Sequence, residues 1–404
     1  MFVFRKQDLP ADPVFPAELD KLGYFINDKD RIRKISNPEE EFQYKINKNE
    51  RWNDLQREAM NEFIRDLASS RLRKLGLVTL RLPLLHPPNT PHVPIMVSHN
   101  LKTASRIIVV FGEPIQDLGI WAYRTVGSEN INAGSAVDFA RAVLNLDGNA
   151  NADTSAGQHN TNTNGTSDTD KTCQSAQSKQ DVALVLANTG QLVFHCASGR
   201  AMTLVSYSNL PRVSAVDSAP GMSRRNNIPG HFDWQEHVGS VFDDILAARG
   251  QLVRHDAKID VIGLAEGGLG AIQHLAQNWS TWHTHISAMC ISSPLHKDTI
   301  DLTRTQGEEG GASQSFATFM ASRCRAYELS PHPLGFPLPD SEGHGCNCYA
   351  SGEELNAECI MPKAWPHMLH WLKFAHENPG YCEEQLVLGG ELKEALGGLD
   401  GDED

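Results

Sequence analysis

A chain of 404 residues with 40% hydrophobic content is long enough for one large domain or two ordinary ones, and it can fill a real core, so it is not a disordered protein as a whole. A formal charge of -14 and a pI near 5.6 argue against a broad basic surface, and direct binding to nucleic acid is disfavoured. No apolar run approaches the ~18–20 residues of a membrane span, the opening MFVFRKQDLPADP lacks a signal peptide's apolar core, and eight cysteines are too few and too irregular for a disulfide scaffold; an intracellular protein with reduced thiols is expected.

Leu22 to Ile46 mixes aromatics with the turn pairs Asn27-Asp28 and Asn37-Pro38, which suits a short hairpin. The stretch NERWNDLQREAMNEFIRDLASSRLRKL sets Trp52, Leu55, Ala59, Phe63, Leu67 and Leu72 near helical spacing and predicts a long amphipathic helix. Arg71, Arg73 and Lys74 fall in its last turns and read as solvated charges favouring the negative end of the helix dipole. Strands are expected over Leu77 to Leu85, Ile95 to Ser98 and Ile107 to Phe111, followed by a helix over Gly134 to Leu146.

Composition then changes. Asp147 to Gln180 is rich in Asn, Thr, Ser, Gly and Asp with almost no apolar residue, so a disordered insertion is expected at 147–180. Beyond it come a strand at Val182 to Ala187, a short run Leu192 to His195, a strand at Met202 to Tyr207, a polar loop from Val213 to Pro229, and a helix over Phe232 to Ala248. Ile286 to Ile291 is a further strand, Phe316 to Tyr327 reads as a helix, Pro331 to Tyr349 as a Pro-, Gly- and Cys-rich loop, and Pro362 to His376 as a buried final helix. Strands without polar alternation, separated by helices, imply an α/β fold with a mainly parallel sheet covered on both faces. One such domain is expected over 15–382, with an acidic, flexible tail at 383–404.

The chain is organised around Ile259 to Ile272, reading IDVIGLAEGGLGAI: an apolar strand, a Gly-rich corner and a helix start. In α/β-hydrolases this is the nucleophile elbow, Gly-x-Ser-x-Gly, where small residues surround a side chain at the top of the sheet. Gly263, Gly267, Gly268 and Gly270 keep the small-residue pattern, but the serine position holds Ala265. A methyl group cannot attack a carbonyl. A dinucleotide loop fails on spacing and would place the Glu266 carboxylate where a pyrophosphate belongs. The plainer alternative is that any tight strand-to-helix turn in a parallel sheet needs glycines. Gly112-Glu113-Pro114 follows a strand where a hydrolase supplies an oxyanion-hole amide, yet Pro114 has no amide hydrogen to give.

Two histidines invite a catalytic reading and have a plainer one. His296 follows a strand at the carboxyl edge of the sheet, and His237 lies among apolar helix neighbours; packing or capping accounts for both. His344, Cys346, Cys348 and Cys359 are the cluster most like metal ligands, but Cys346-Asn347-Cys348 is tighter than zinc knuckles use, and no metal or other cofactor is expected.

From Leu22 onward the ordered blocks resemble the Argonaute-binding (Arb two) domain family of fungal small-RNA silencing proteins, some class II histone deacetylases and an animal nuclear protein family. The matching blocks are LGYFINDKDRIRKI, RWNDLQREAM, RIIVVFG, NTGQLVF with AMTLVSYSNLPR, IPGHFDWQEHVGSVFDDIL, VIGLAEGGLGAI, SAMCISSPLH and the late Trp-rich helix, and their order and spacing span most of residues 20 to 376. The resemblance implies an α/β-hydrolase-like fold whose members differ in keeping a triad. The animal relatives retain the elbow serine; here it is Ala265, the acid position aligns with Ser293, and the base loop aligns near Leu355 and Asn356 with no histidine. What it implies is a pseudo-hydrolase scaffold, its degenerate site lined by Gly112, Gly263, Glu266, Gly267, Gly268 and His296. As a nuclear and cytoplasmic subunit of a small-interfering-RNA chaperone complex in heterochromatin silencing, it would bind an Argonaute protein and a second Argonaute-binding subunit. The alternatives are a hydrolase with a relocated site using Ser292, Ser293 or His296, and a chromatin interaction module working with a histone deacetylase complex.

Overall fold

The structure, a computed structural model, describes residues 11–87, 89–144, 181–214, 217–302, 315–339 and 343–386. The insertion expected at 147–180 and all but the first residues of the expected tail lie outside them. Eight strands form one sheet: β1 (Leu77–Leu82), β2 (Val93–Ser98), β3 (Arg106–Phe111), β4 (Val182–Leu186), β5 (Lys258–Leu264), β6 (Ile286–Ser292), β7 (Cys324–Glu328) and β8 (Asn347–Ala350). Their spatial order is 1-2-4-3-5-6-7-8. β2 runs against both its neighbours, and every other pairing is parallel. That order, with its single reversed strand, is the layout of an α/β-hydrolase, as the sequence led one to expect.

Helices cover both faces. They are α1 (Glu50–Lys74), α2 (Ala136–Val143), α3 (Trp234–Ser240, continued by a π-helical stretch Val241–Leu246), α4 (Glu266–Gln277), α5 (Phe316–Arg323) and α6 (Ile360–Glu377). Strand side chains alternate between the two layers. Ile107, Val109 and Phe111 of β3 join the core under α3 and α4, while Ile108 and Val110 join the one under α2 and α6. β3 is buried along its whole length, which explains its unbroken apolar run.

A charged pair lies in this interior: Arg106 Nε donates to Asp260 Oδ2 at 2.6 Å, with Asp260 fully buried. Burial raises the Asp260 pKa and the neighbouring guanidinium opposes that shift.

The N-terminal hairpin forms from Tyr24–Ile26 and Ile32–Lys34, and Tyr24 and Ile32 pack on Met60, Ile64 and Ala68 of α1. Asn49 caps that helix by accepting the Arg51 amide at 3.0 Å. The buried stripe runs through Leu55, Ala59, Met60, Ile64, Ala68 and Leu72, so Trp52, expected in the stripe, stays 40% exposed. Arg71 departs from the solvated role expected of it. Its guanidinium forks the Asp30 carboxylate at 2.7 and 2.6 Å and reaches Asn132 Oδ1 at 2.6 Å, tying the helix end to the hairpin.

Three assignments change. Met202 to Tyr207, expected as a strand, ends a small hairpin and turns into the helix Leu204–Ser208 because the Thr203 hydroxyl accepts the Ser206 amide at 3.1 Å. The helix expected through Tyr327 stops at Arg323, and the chain continues as β7. The expected loop to Tyr349 contains the start of β8, whose ladder to β7 pairs Arg325 with Asn347 and Tyr327 with Tyr349.

Candidate functional site

β5 runs into Ala265, whose backbone at φ 45° and ψ -117° makes the sharp corner from which α4 starts. The Ala265 amide donates to the Ser292 carbonyl at 2.9 Å, and the Ala265 carbonyl accepts the Leu269 amide at 3.0 Å. The glycines are needed by contact. A Cβ on Gly263 would collide with Gly268 Cα, and one on Gly267 with the carbonyl oxygens of Phe111 and Gly112. The elbow geometry is therefore complete, and the side chain at its tip is a methyl group.

Carboxylates gather around it. Glu113, in the loop leaving β3, is 8% exposed. Its pKa is pushed up to about 7 by burial, then by the charges of Glu266 and Glu358. Glu266 opens α4 directly after Ala265. Glu358 is paired with Arg124 at 2.9 Å. The Gly112 carbonyl beside Glu113 accepts the Thr189 hydroxyl at 2.6 Å, which fixes the loop against the corner.

The other sequence-predicted positions fall as follows. Ser293, at the end of β6, also has a positive φ, 52°, and its amide donates to the Tyr327 carbonyl at 2.9 Å. Ser292 is buried as the last residue of β6. His296 is fully buried; its Nε2 lies 2.8 Å from the His344 carbonyl, and His344 Nδ1 lies 2.8 Å from the His296 carbonyl. Burial brings the His296 pKa down to about 4, so its ring is neutral at pH 7. These two imidazoles hold each other's backbone. Nε2 of His344 is 3.3 Å from Glu328 Oε1, so the carboxylate that ends β7 is engaged there.

Leu355 and Asn356 lie in the loop after β8, and their amides both donate to Glu353 Oε1 at 3.1 Å. Burial opposes ionisation of Glu353, but Lys363 and these amides outweigh it and bring its pKa down to about 2.

His237 is fully buried on α3, where its Nε2 accepts the Asn188 amide at 3.0 Å and its Nδ1 faces His231 Nδ1 at 3.0 Å. Cys348 points its thiol to the Cys346 carbonyl at 3.8 Å, whereas Cys359 is engaged separately by the Thr125 hydroxyl at 3.4 Å. Among the described residues no group of three or more His, Cys, Asp or Glu side chains is arranged to hold a metal ion.

Sequence reasoning named Glu266 but overlooked Glu113 and Glu358. The sequence holds no sign that these acids share one field. As chemistry, the corner offers Glu113, whose carboxyl burial pushes towards its protonated form, and a methyl group, and His296 and His344 are occupied elsewhere. Acyl transfer needs a nucleophile activated by a base, and among the described residues Ala265 offers no such nucleophile at the corner.

The Arb2 domain family matches this sequence over residues 15–334. The chain belongs to that family. The match ends before β8 and α6, although both elements complete the sheet and core of this Arb2 protein. It is similar to the human cotranscriptional regulator ARB2A, at 26% identity over 146 residues, which make up 35% of this chain and 34% of the human protein. The matched segment is thus about a third of that relative's length.

Among solved structures, a histone deacetylase from Saccharomyces cerevisiae overlaps 78% of this chain and 97% of its own, at 11% identity and a TM-score of 0.42. An arylesterase overlaps 80% and 93%, at 8% identity and a TM-score of 0.31. These backbones superpose loosely, and the fold assignment rests on the strand order and the corner.

Proposed function

We propose that this Arb2 domain protein is a non-catalytic pseudo-hydrolase that serves as a scaffold in gene silencing. It holds an Argonaute protein together with a second Argonaute-binding subunit while small interfering RNA is handed on, working in the nucleus and the cytoplasm. The observation that carries this reading is Ala265 at the tip of an otherwise intact elbow. Membership of the Arb2 domain family and likeness to a human cotranscriptional regulator support a role in nuclear regulation.

The loops leaving β3, β6 and β8 present Ile115, Leu295 and Leu355, which are 65%, 46% and 78% exposed. Apolar side chains on the rim of an acidic floor suit a protein partner that brings a basic residue to that floor.

Affinity purification of the whole chain from its native cell tests the reading. Argonaute is expected in the eluate of the parent and depleted with Ile115→Asp/Leu355→Asp. Recovery of a histone deacetylase complex without Argonaute would replace the silencing role with the deacetylase one. Labelling of the folded protein by a fluorophosphonate, abolished by Ser293→Ala, would overturn the non-catalytic part.

A further inference from the structure

Away from the elbow, where α1 ends and β1 forms the edge of the sheet, an open cleft of about 340 Å³ carries a charge opposite to that of the chain as a whole. The arginines in its lining are Arg65, Arg73, Arg81 and Arg200. Arg65 is fixed at the back by Asp117 at 3.1 Å, and Arg200 is paired with Glu62 at 2.8 Å. Arg73 and Arg81 are different. Both are exposed, and among the described residues neither has a carboxylate within ion-pair distance; Arg73 donates to the Ser69 hydroxyl at 2.8 Å. Thr79 and Arg81 are two apart on β1 and so share a face of the strand, adding a hydroxyl beside the free guanidinium. Among the described residues of the lining the one acid is Asp66.

We propose that this cleft binds a phosphate monoester carried on a serine or threonine side chain of a partner protein. Two unpaired guanidinium forks converging with hydroxyl donors match a dianion with three acceptor oxygens, a geometry that Arg supplies and Lys does not. The ligand is a peptide because the cleft continues. At Gly199 it adjoins a second cleft of about 520 Å³ that carries Phe194 and another exposed arginine, Arg225, so an extended chain has room beyond the phosphate. A nucleic-acid strand fits less well. Among its described lining residues the first cleft has no Phe, Tyr or Trp on which a base could stack, and a net charge of -14 repels a long polyanion. The inference is independent of the elbow and of the Argonaute reading.

The test uses the whole chain at physiological salt, with three fluorescent probes: a degenerate phosphoserine/phosphothreonine peptide pool, the same pool unphosphorylated, and a single-stranded oligouridine of comparable charge. Saturable binding of the phosphorylated pool alone is expected, weakened about tenfold or more by Arg73→Ala/Arg81→Ala. Asp66→Asn is expected to strengthen it, which a merely structural role for the cleft would not produce. Should the double variant fail to fold, Arg81→Gln alone carries the comparison. Equal binding of the two peptide pools, preference for oligouridine, or phosphopeptide binding unchanged by the arginine substitutions would overturn the proposal.

Discussion

The elbow and the β1 flank are built on opposite terms. At the elbow the backbone is specified atom against atom: Gly263 against Gly268, Gly267 against Phe111 and Gly112, the Ala265 amide on the Ser292 carbonyl. The functional side chain at its tip is a methyl group. On the flank the backbone is an ordinary helix end and an edge strand, yet Arg73 and Arg81 stand exposed with no acid partner among the described residues. Rigid architecture and available chemistry have separated in this molecule. A closely specified backbone shape need not mark where ligands are held, and on the proposal above unpaired charge marks it instead.

Three measurements break or sharpen that contrast. The largest effect is expected from Gly263→Ala, whose new Cβ lands on the Gly268 backbone, where no side chain can yield. Denaturant unfolding should report a loss of at least about 3 kcal/mol, whereas Arg81→Ala on the flank should fall within about 0.5 kcal/mol of the parent. Similar values for the two would erase the difference between the regions.

Acid comes second. Burial sets the pKa of His231 and of His296 at about 4 and lowers that of His237 well below its ordinary value, against about 6.5 in an unfolded chain. Between those limits the unfolded state takes up protons that the folded state refuses. The contribution of these histidines is therefore full above pH 6.5 and falls as pH drops towards 4, by up to roughly 1.4 kcal/mol per pH unit for each such group. The melting temperature should decline steadily from pH 6.5 to 4.5; a flat profile would mean these rings are hydrated.

The smallest effect is expected from Ala265→Ser. Restoring the hydroxyl should leave hydrolysis of p-nitrophenyl acetate at the level of the parent, since His296 and His344 are bound to each other's backbone. A burst of nitrophenolate would mean that a base lies within reach of the corner.

Much of the fold could be read from local pattern. The buried run Ile107 to Phe111 and the glycines around Ala265 announce their roles because sheet burial and a sharp corner each demand a narrow set of residues. β8 could not be read this way. Asn347-Cys348-Tyr349-Ala350 is short, lies beyond Gly343 and Gly345, and becomes a strand through its ladder to β7. The end of α5 was likewise hidden. Arg323 directs its guanidinium to the carbonyls of Ala375, Asn378 and Tyr381, contacts supplied by a distant helix end.

The same limit applies to charge. Arg71 and Arg73 look alike in sequence, but Asp30 engages one and leaves the other to the cleft. The shared field of Glu113, Glu266 and Glu358 arises only when three segments far apart in sequence meet.

The backbone of Ala265 has one more consequence. An L-residue at φ 45° and ψ -117° sits outside the wells alanine prefers, at roughly 1–3 kcal/mol of conformational strain. Ser292 on one side and Leu269 on the other pin the adjoining peptide planes, so the tension cannot relax unless β6 and α4 separate. The joint is thus a loaded one, held closed by its neighbours, and a glycine at that single position would unload it without displacing any of them.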